Sequence, residues 1–204
     1  IDSVIELDAY RASLENTLAW NVGFLRYLEN RHWPQRLQLH LEANPNVQTL
    51  KDWTILWDPE NVGTRQKWFE PTFKRTGEQA IKTDSHWEKQ EANAKWKAEH
   101  GSNYRGVAWY FNKFKPENPQ SLNNLELAFG AIDGTATIYL NGKQIHHRPY
   151  PYQGNHDSWK EPFEVKIPDD RLTFGYNLLT IRIEKQAGLS GIFRMVVLRP
   201  RLQK

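Results

Sequence analysis

The chain has 204 residues, 39% of them hydrophobic and 25% charged, the balance of a folded globular protein rather than a fibre, a low-complexity linker or a disordered tail. No apolar run approaches the roughly 20 residues that a membrane helix needs, so no membrane partner is expected. The absence of cysteine excludes disulfides, thiolate zinc sites and iron–sulfur clusters. The formal net charge of +3 is mild, and the basic blocks at 113–115 and 199–201 are too short for a nucleic-acid stripe. No nucleic acid is therefore expected as a partner. Aromatic residues make up 13%, enough to fill a core and also to stack on the flat faces of a ligand.

The chain opens on Ile1 without a basic-then-apolar signal segment, and is expected to be a piece of a longer protein. Val4, Leu7, Leu14, Leu18, Val22, Leu25 and Leu28 recur at three- and four-residue steps, which predicts an amphipathic helix. Asp2 or Ser3 caps it, with Glu6 in capping-box position, and Pro34 closes it. Residues 1–35 are thus read as a helical segment, a former joint between domains or a packed extension, and residues 36–204 as the domain proper. From 36 onward the period falls to 2. Leu37, Leu39 and Leu41 alternate with polar residues, and Asn44-Pro45-Asn46 marks a turn. Further strands are expected at 52–57, 80–82, 107–114, 124–130, 135–140, 163–167, 178–184 and 192–198, and a short helix at 88–99. Asp133-Gly134 and Asn141-Gly142 both carry the chemistry of tight hairpin turns. Many strands with hardly any helix between them predict an all-β antiparallel sandwich or jelly roll, with Trp53, Trp57, Trp109 and Phe129 in its core.

Several ordered motifs then stand together: Trp57-Asp58-Pro59-Glu60-Asn61-Val62-Gly63 with Trp68; Trp87-Glu88; Gly106-Val107-Ala108-Trp109-Tyr110 with Phe114; Leu127-Ala128-Phe129-Gly130-Ala131-Ile132-Asp133-Gly134; Tyr139-Leu140-Asn141-Gly142-Lys143; Pro162-Phe163-Glu164-Val165; Asn177-Leu178-Leu179-Thr180-Ile181; and Ser190-Gly191-Ile192-Phe193-Arg194. Over about residues 53–199 this set resembles the sugar-binding domain of glycoside hydrolase family 2, the family of the β-galactosidases and β-glucuronidases. The resemblance implies a galactose-binding-like jelly roll that is not itself an enzyme, because in that family the two catalytic carboxylates lie on a separate TIM-barrel domain. It also implies a covalently attached catalytic domain as partner, and an extracellular or periplasmic, secreted setting. Two positions depart from the family pattern. Met195 stands where an acidic residue commonly reaches towards the substrate pocket, and Phe111 where Arg is common. The connections 88–105 and 146–161 are enlarged.

No Gly-Xaa-Ser-Xaa-Gly elbow, phosphate loop or dinucleotide fingerprint is present. Glu88, Glu91, Glu99, Asp157 and Glu161 belong to charged surface segments and form no interpretable hydrolytic pair. His146-His147 with His156 lacks the spacing of a zinc site. Asp58-Pro59-Glu60-Asn61 reads as a structural turn, with a structural calcium as the alternative; no cofactor is expected. The connection 146–161 is the most informative stretch, since long irregular loops in compact domains are often functional. Its Trp159, Tyr150 and Tyr152 offer faces for sugar C–H groups, while Arg148, His147, Asn155 and Asp157 offer hydrogen bonds to hydroxyls. The opposing reading folds Tyr150 and Tyr152 down as plugs on the sandwich. The insertion 88–105 adds Trp96, Tyr104 and Arg105 as candidate contacts. The function expected from the sequence is a non-catalytic carbohydrate-binding module that takes a polysaccharide or oligosaccharide. The alternatives are an accessory domain that shapes or stabilises a glycoside hydrolase without binding sugar alone, and a protein-interaction domain.

Overall fold

The computed structural model describes residues 47–117 and 122–201. The expected helix in 1–35, the strand at 37–42 and the turn at 44–46 lie outside the described residues. Among the described residues the strands are β1 Gln48–Thr49, β2 Trp53–Asp58, β3 Gln79–Ile81, β4 Gly106–Phe114, β5 Leu125–Phe129, β6 Ile132–Asp133, β7 Thr135–Leu140, β8 Lys143–Arg148, β9 Phe163–Lys166, β10 Asn177–Lys185, β11 Gly191–Ile192 and β12 Val196–Pro200. Helix α1 spans Glu91–His100, and 3-10 turns occur at Trp87–Lys89 and Ser158–Lys160. Every strand pair is antiparallel. The order is β1-β12-β5-β9 in one sheet and β3-β2-β4-β10-β7-β8 in the other, with β6 and β11 forming a separate ribbon.

The two sheets share one core. Ile55, Tyr110, Ile138 and Ile181 of the six-stranded sheet meet Leu127, Phe129, Val165 and Val196 of the four-stranded sheet in a single buried cluster, each side chain contributing roughly 1.5–3 kcal/mol. Because side chains alternate along a strand, Val107, Trp109 and Phe111 of β4 point the other way. There they join Leu56, Tyr139 and Leu178 in a second cluster, covered by Trp68 and Phe69 from the β2–β3 connection. Phe69 stacks on Tyr139 with ring centroids 4.4 Å apart. β4 is thus buried on both faces, which is why residues 107–111 read as a continuous apolar run.

Asp58 ties this cover down. Its carboxylate accepts the N–H groups of Val62 at 2.8 Å and Gly63 at 2.9 Å, and the indole N–H of Trp109 at 2.9 Å. The run Asp58-Pro59-Glu60-Asn61 is a turn, closed by the Asn61 N–H on the Asp58 carbonyl. Among the described residues, no cluster of three or more His, Asp or Glu is arranged to hold a metal ion.

The turn assignments divide. Asn141 and Gly142, with φ of 49° and 80°, make the expected hairpin between β7 and β8, and both positive angles suit Asn-Gly. Asp133-Gly134 is no hairpin turn. Asp133 pairs with Gly191 in the ribbon and Thr135 with Glu184 in the six-stranded sheet, so Gly134, at φ 124°, carries the chain from one to the other. The strand expected at 192–198 divides for the same reason, since β11 pairs with β6 while β12 pairs with β5. The helix expected at 88–99 begins at Glu91 and is closed by Gly101, left-handed at φ 79°, whose N–H donates to the Lys97 carbonyl.

Candidate functional site

Register defines the two ends of the six-stranded sheet. At one end β4 begins beside the last residue of β10, with Gly106 opposite Lys185, and β7 begins beside the last residue of β8, with Ala136 opposite Arg148. The connection that follows β8 lies at this end. Tyr152-Gln153-Gly154-Asn155 forms its own tight turn. Gln153 and Gly154 take φ of 51° and 77°, and Asn155 N–H donates to the Tyr152 carbonyl at 2.9 Å. The Asn155 side chain accepts the Asp157 N–H and donates to Glu161 Oε1, each at 2.9 Å.

Two of the expected contact residues are interior. Arg148 is 3% exposed, its guanidinium lying between the rings of Tyr152 at 4.8 Å and Phe163 at 4.7 Å. Its Nη2 donates to the Ser158 carbonyl at 2.8 Å, while Nε and Nη1 have no hydrogen-bond partner. Burial pulls its pKa below the ordinary guanidinium value, against the opposing charge of Glu161. Tyr104 is 1% exposed. It packs against Trp57 at 4.5 Å and Trp96 at 4.8 Å, and its hydroxyl donates to the Val107 carbonyl and accepts the Asp58 N–H. Burial raises its pKa above the usual phenol value. The surface position expected of both residues is thus corrected. The insertion at 88–105 folds onto the core because α1 carries Ala92 and Asn93 inward and Asn93 Oδ1 captures the Tyr104 N–H at 2.8 Å.

Tyr150 and Tyr152 are half-buried and tied down. Tyr150 N–H donates to Thr135 Oγ1 at 3.0 Å, and its hydroxyl donates to the His156 carbonyl at 3.1 Å. Tyr152 N–H donates to Ser158 Oγ at 3.1 Å. This is the folded-down arrangement, achieved through backbone and hydroxyl bonds. His147, Asn155 and Asp157 are exposed. His147 Nδ1 lies 3.0 Å from Thr137 Oγ1, and Asp157 pairs with Lys160 at 2.9 Å. Trp96, half-buried, stacks on His100 at 3.7 Å. Arg105 is exposed and donates to the Gly188 carbonyl at 3.5 Å.

Trp159 is half-buried and has company that the sequence did not suggest. Its ring lies 5.7 Å from Phe193 and 6.2 Å from His86, and His86 stacks on Phe193 at 4.2 Å. His86 Nε2 is 3.5 Å from Asp133 Oδ2. Asp133 also pairs with Lys185, whose ammonium sits 4.7 Å above the Tyr150 ring. Arg194 donates to the Lys160 carbonyl at 3.3 Å. Trp159, His86, Phe193, Lys185 and Asp133 thus come together from four separate stretches of chain. Only the Ser190–Arg194 motif signalled that Phe193 mattered here. The assembly sets the half-buried Trp159 and Phe193 rings beside the buried His86 ring and the Lys185–Asp133 ion pair.

No protein-family profile and no curated protein matches the chain. Solved structures do resemble it. A β-glucuronidase from Ruminococcus gnavus, in complex with uronic isofagomine, superposes with a TM-score of 0.58 at 19% identity, over 74% of this chain and 27% of that one. A β-glucuronidase from an uncultured Clostridium sp. gives 0.55 at 24% identity, over 76% and 29%. A glycosyl hydrolase family 2 member from Bacteroides cellulosilyticus DSM 14838 gives 0.55 at 17%, over 76% and 20%. The chain therefore spans 20–29% of the length of these structures. What it shares with a portion of each is the fold, an antiparallel β-sandwich.

Proposed function

We propose that the chain is the non-catalytic, galactose-binding-like jelly-roll domain of a larger glycoside hydrolase, and that its Trp159 end contacts a polysaccharide or oligosaccharide. The observation that carries the proposal is the sandwich itself, most of which superposes on about a quarter of two β-glucuronidases. The contact surface consists of Trp159 and Phe193 as ring faces, backed by the buried His86 ring, with His147, Asn155 and Asp157 as exposed hydrogen-bonding groups. The catalytic carboxylates belong to another part of the full protein, which is secreted or periplasmic. A second reading draws on the burial of Arg148 and Tyr104. Side chains committed to the interior suit an accessory domain that shapes its neighbour and binds no sugar alone.

Affinity electrophoresis of the 204-residue chain through gels containing soluble polysaccharides separates the two. The module reading expects retardation, and Trp159→Ala weakens it about tenfold, since aromatic stacking contributes about 0.5–1.5 kcal/mol beyond area burial. Full retention of binding by that variant refutes the Trp159 surface. No retardation by any polysaccharide leaves the accessory reading.

A further inference from the structure

The opposite end of the sandwich holds a second set of aromatic and cationic groups. There Asn177 pairs with Phe114 and Leu179 with Leu140, so the loop before β10, the end of β4 and the β7–β8 turn converge. Phe174 and Tyr176 are 62% and 69% exposed, the most exposed large hydrophobic side chains described. They are not loose ends. Asn177, buried at 1%, donates to the carbonyls of Thr173 and Gly175 at 2.9 and 3.1 Å and accepts the Thr173 N–H at 2.9 Å. Asn141 donates to Asn177 Oδ1 and to the Arg171 carbonyl, both at 2.8 Å. Folding has already fixed the loop that presents the two rings, so a ligand meets a preorganised surface.

Beside Tyr176 lies a cleft of about 150 Å³, lined by Pro71, Arg75, Lys113, Asn141, Asn177 and Leu178. Its lining holds two cations and no carboxylate. Arg75 is engaged by Glu78 at 2.8 Å. The Lys113 ammonium has no ion pair among the described residues and stands 4.6 Å above one face of the Tyr176 ring, leaving the other face to solvent. Lys113 and Phe174 also line an adjoining wider groove, whose other cations, Lys51 and Lys115, are matched in number by Asp52 and Glu117. The uncompensated positive charge is therefore in the small cleft. Two rings make an apolar area well below the few hundred Å² typical of a protein-docking patch, but they match one or two saccharide rings.

We propose that Tyr176, Lys113 and Phe174 form a second glycan site, at the end away from Trp159, selective for an anionic saccharide. One saccharide ring stacks on the open face of Tyr176, the carboxylate or sulfate of the adjoining unit passes the ring edge to pair with Lys113 on the other side, and the chain runs towards Phe174. The site stands independently of the Trp159 surface.

The test is affinity electrophoresis of the full chain in dextran, dextran sulfate and polygalacturonate, with Lys113→Ala, Tyr176→Ala, Trp159→Ala and, as a control cation on α1, Lys97→Ala. The expected result is retardation by one or both anionic polymers and not by dextran, weakened about tenfold by Lys113→Ala and by Tyr176→Ala, and unchanged by Trp159→Ala and Lys97→Ala. Polygalacturonate alone assigns a carboxylate, and dextran sulfate alone a sulfate. Both altered side chains are exposed, and unchanged melting temperatures will show that the fold is intact. Equal retardation by dextran, an equal loss with Lys97→Ala, or no effect of Lys113→Ala and Tyr176→Ala overturns the proposal. So does self-association abolished by Tyr176→Ala, which would make this face a contact between copies. Binding lost only with Trp159→Ala removes this site and leaves the Trp159 surface standing.

Discussion

Replacing Asp58 by Ala isolates the interaction that fastens the irregular β2–β3 connection over the outer sheet face. One carboxylate oxygen accepts the Val62 N–H, and the other accepts both the Gly63 N–H and the indole N–H of Trp109. Gly63 is buried and Trp109 is 0% exposed, so these two donors cannot turn to water when the acceptor is gone. A hydrogen bond to a charged group is worth about 1.5–3 kcal/mol, and a buried donor left unsatisfied costs about 1–3 kcal/mol. Asp58→Ala should therefore lower stability by about 3–5 kcal/mol, a large share of the 5–15 kcal/mol that holds a typical domain folded. Asp58→Asn keeps one oxygen and should cost about half as much, because the amide nitrogen then faces a donor. Urea denaturation followed by tryptophan fluorescence measures both, and the emission of Trp68 and Trp109 should respond first. A loss below about 1 kcal/mol for Asp58→Ala would refute this account of the cover. Chelator should leave the wild-type midpoint unchanged, as a turn held by N–H donors requires no ion.

The remaining predictions concern neighbouring features. Gly63→Ala should destabilise by about 1–3 kcal/mol through overpacking, because the added Cβ would lie 2.5 Å from Trp109 Nε1 and 2.8 Å from Trp68 Cε3; thermal melts with an unchanged midpoint would contradict the packing described. Burial, and then the charges of Arg148 and His147, hold the His146 pKa below its ordinary value of 6.5, so the folded state favours the neutral ring. Its contribution is complete above pH 6.5 and is lost as the pH falls through the depressed value. His146→Gln should flatten the decline in melting temperature as the pH falls below 6.5, and an identical slope in the variant would place the effect elsewhere.

Much of the fold was legible because turn chemistry and strand period agreed. β7 lies between Gly134 and Asn141-Gly142 and has the bounds expected of it. β4 and β10 carry enough apolar residues to stand out without alternation. What escaped had too little signal or a signal set by a distant partner. β1 and β6 are two residues each, shorter than any periodicity. β8 reads Lys-Gln-Ile-His-His-Arg; it is an edge strand beside β7 alone, and an edge needs few apolar residues and is often charged. The break between β11 and β12 is invisible in a continuous apolar run, because it arises from their pairing with different strands. The cover formed by Trp68 and Phe69 has no period to detect, since its backbone is irregular.

The burial of Arg148 shows why the site was harder to read than the fold. Counting outward from the Asn141-Gly142 turn, Lys143 faces Leu140 and Gln144 faces Tyr139. A regular ladder would next set Ile145 opposite the buried Ile138, an apolar pair that looks right, and Arg148 would fall beyond Ala136 at the start of the loop. The structure instead shifts register between Ile138 and Tyr139, so that His146 stands opposite Ile138, His147 opposite Thr137 and Arg148 opposite Ala136. One extra residue in a strand exchanges the faces of everything after it. Arg148 therefore joins the side of the sheet on which Ala136 and Ile138 are buried, between Tyr152 and Phe163, and His147 is turned to the surface. The same shift sets where the connection leaves the sheet, and the hydrogen bond from Arg148 to the Ser158 carbonyl fixes the 3-10 turn that carries Trp159. In this structure Arg148 acts as the anchor of the Trp159 surface rather than as part of it.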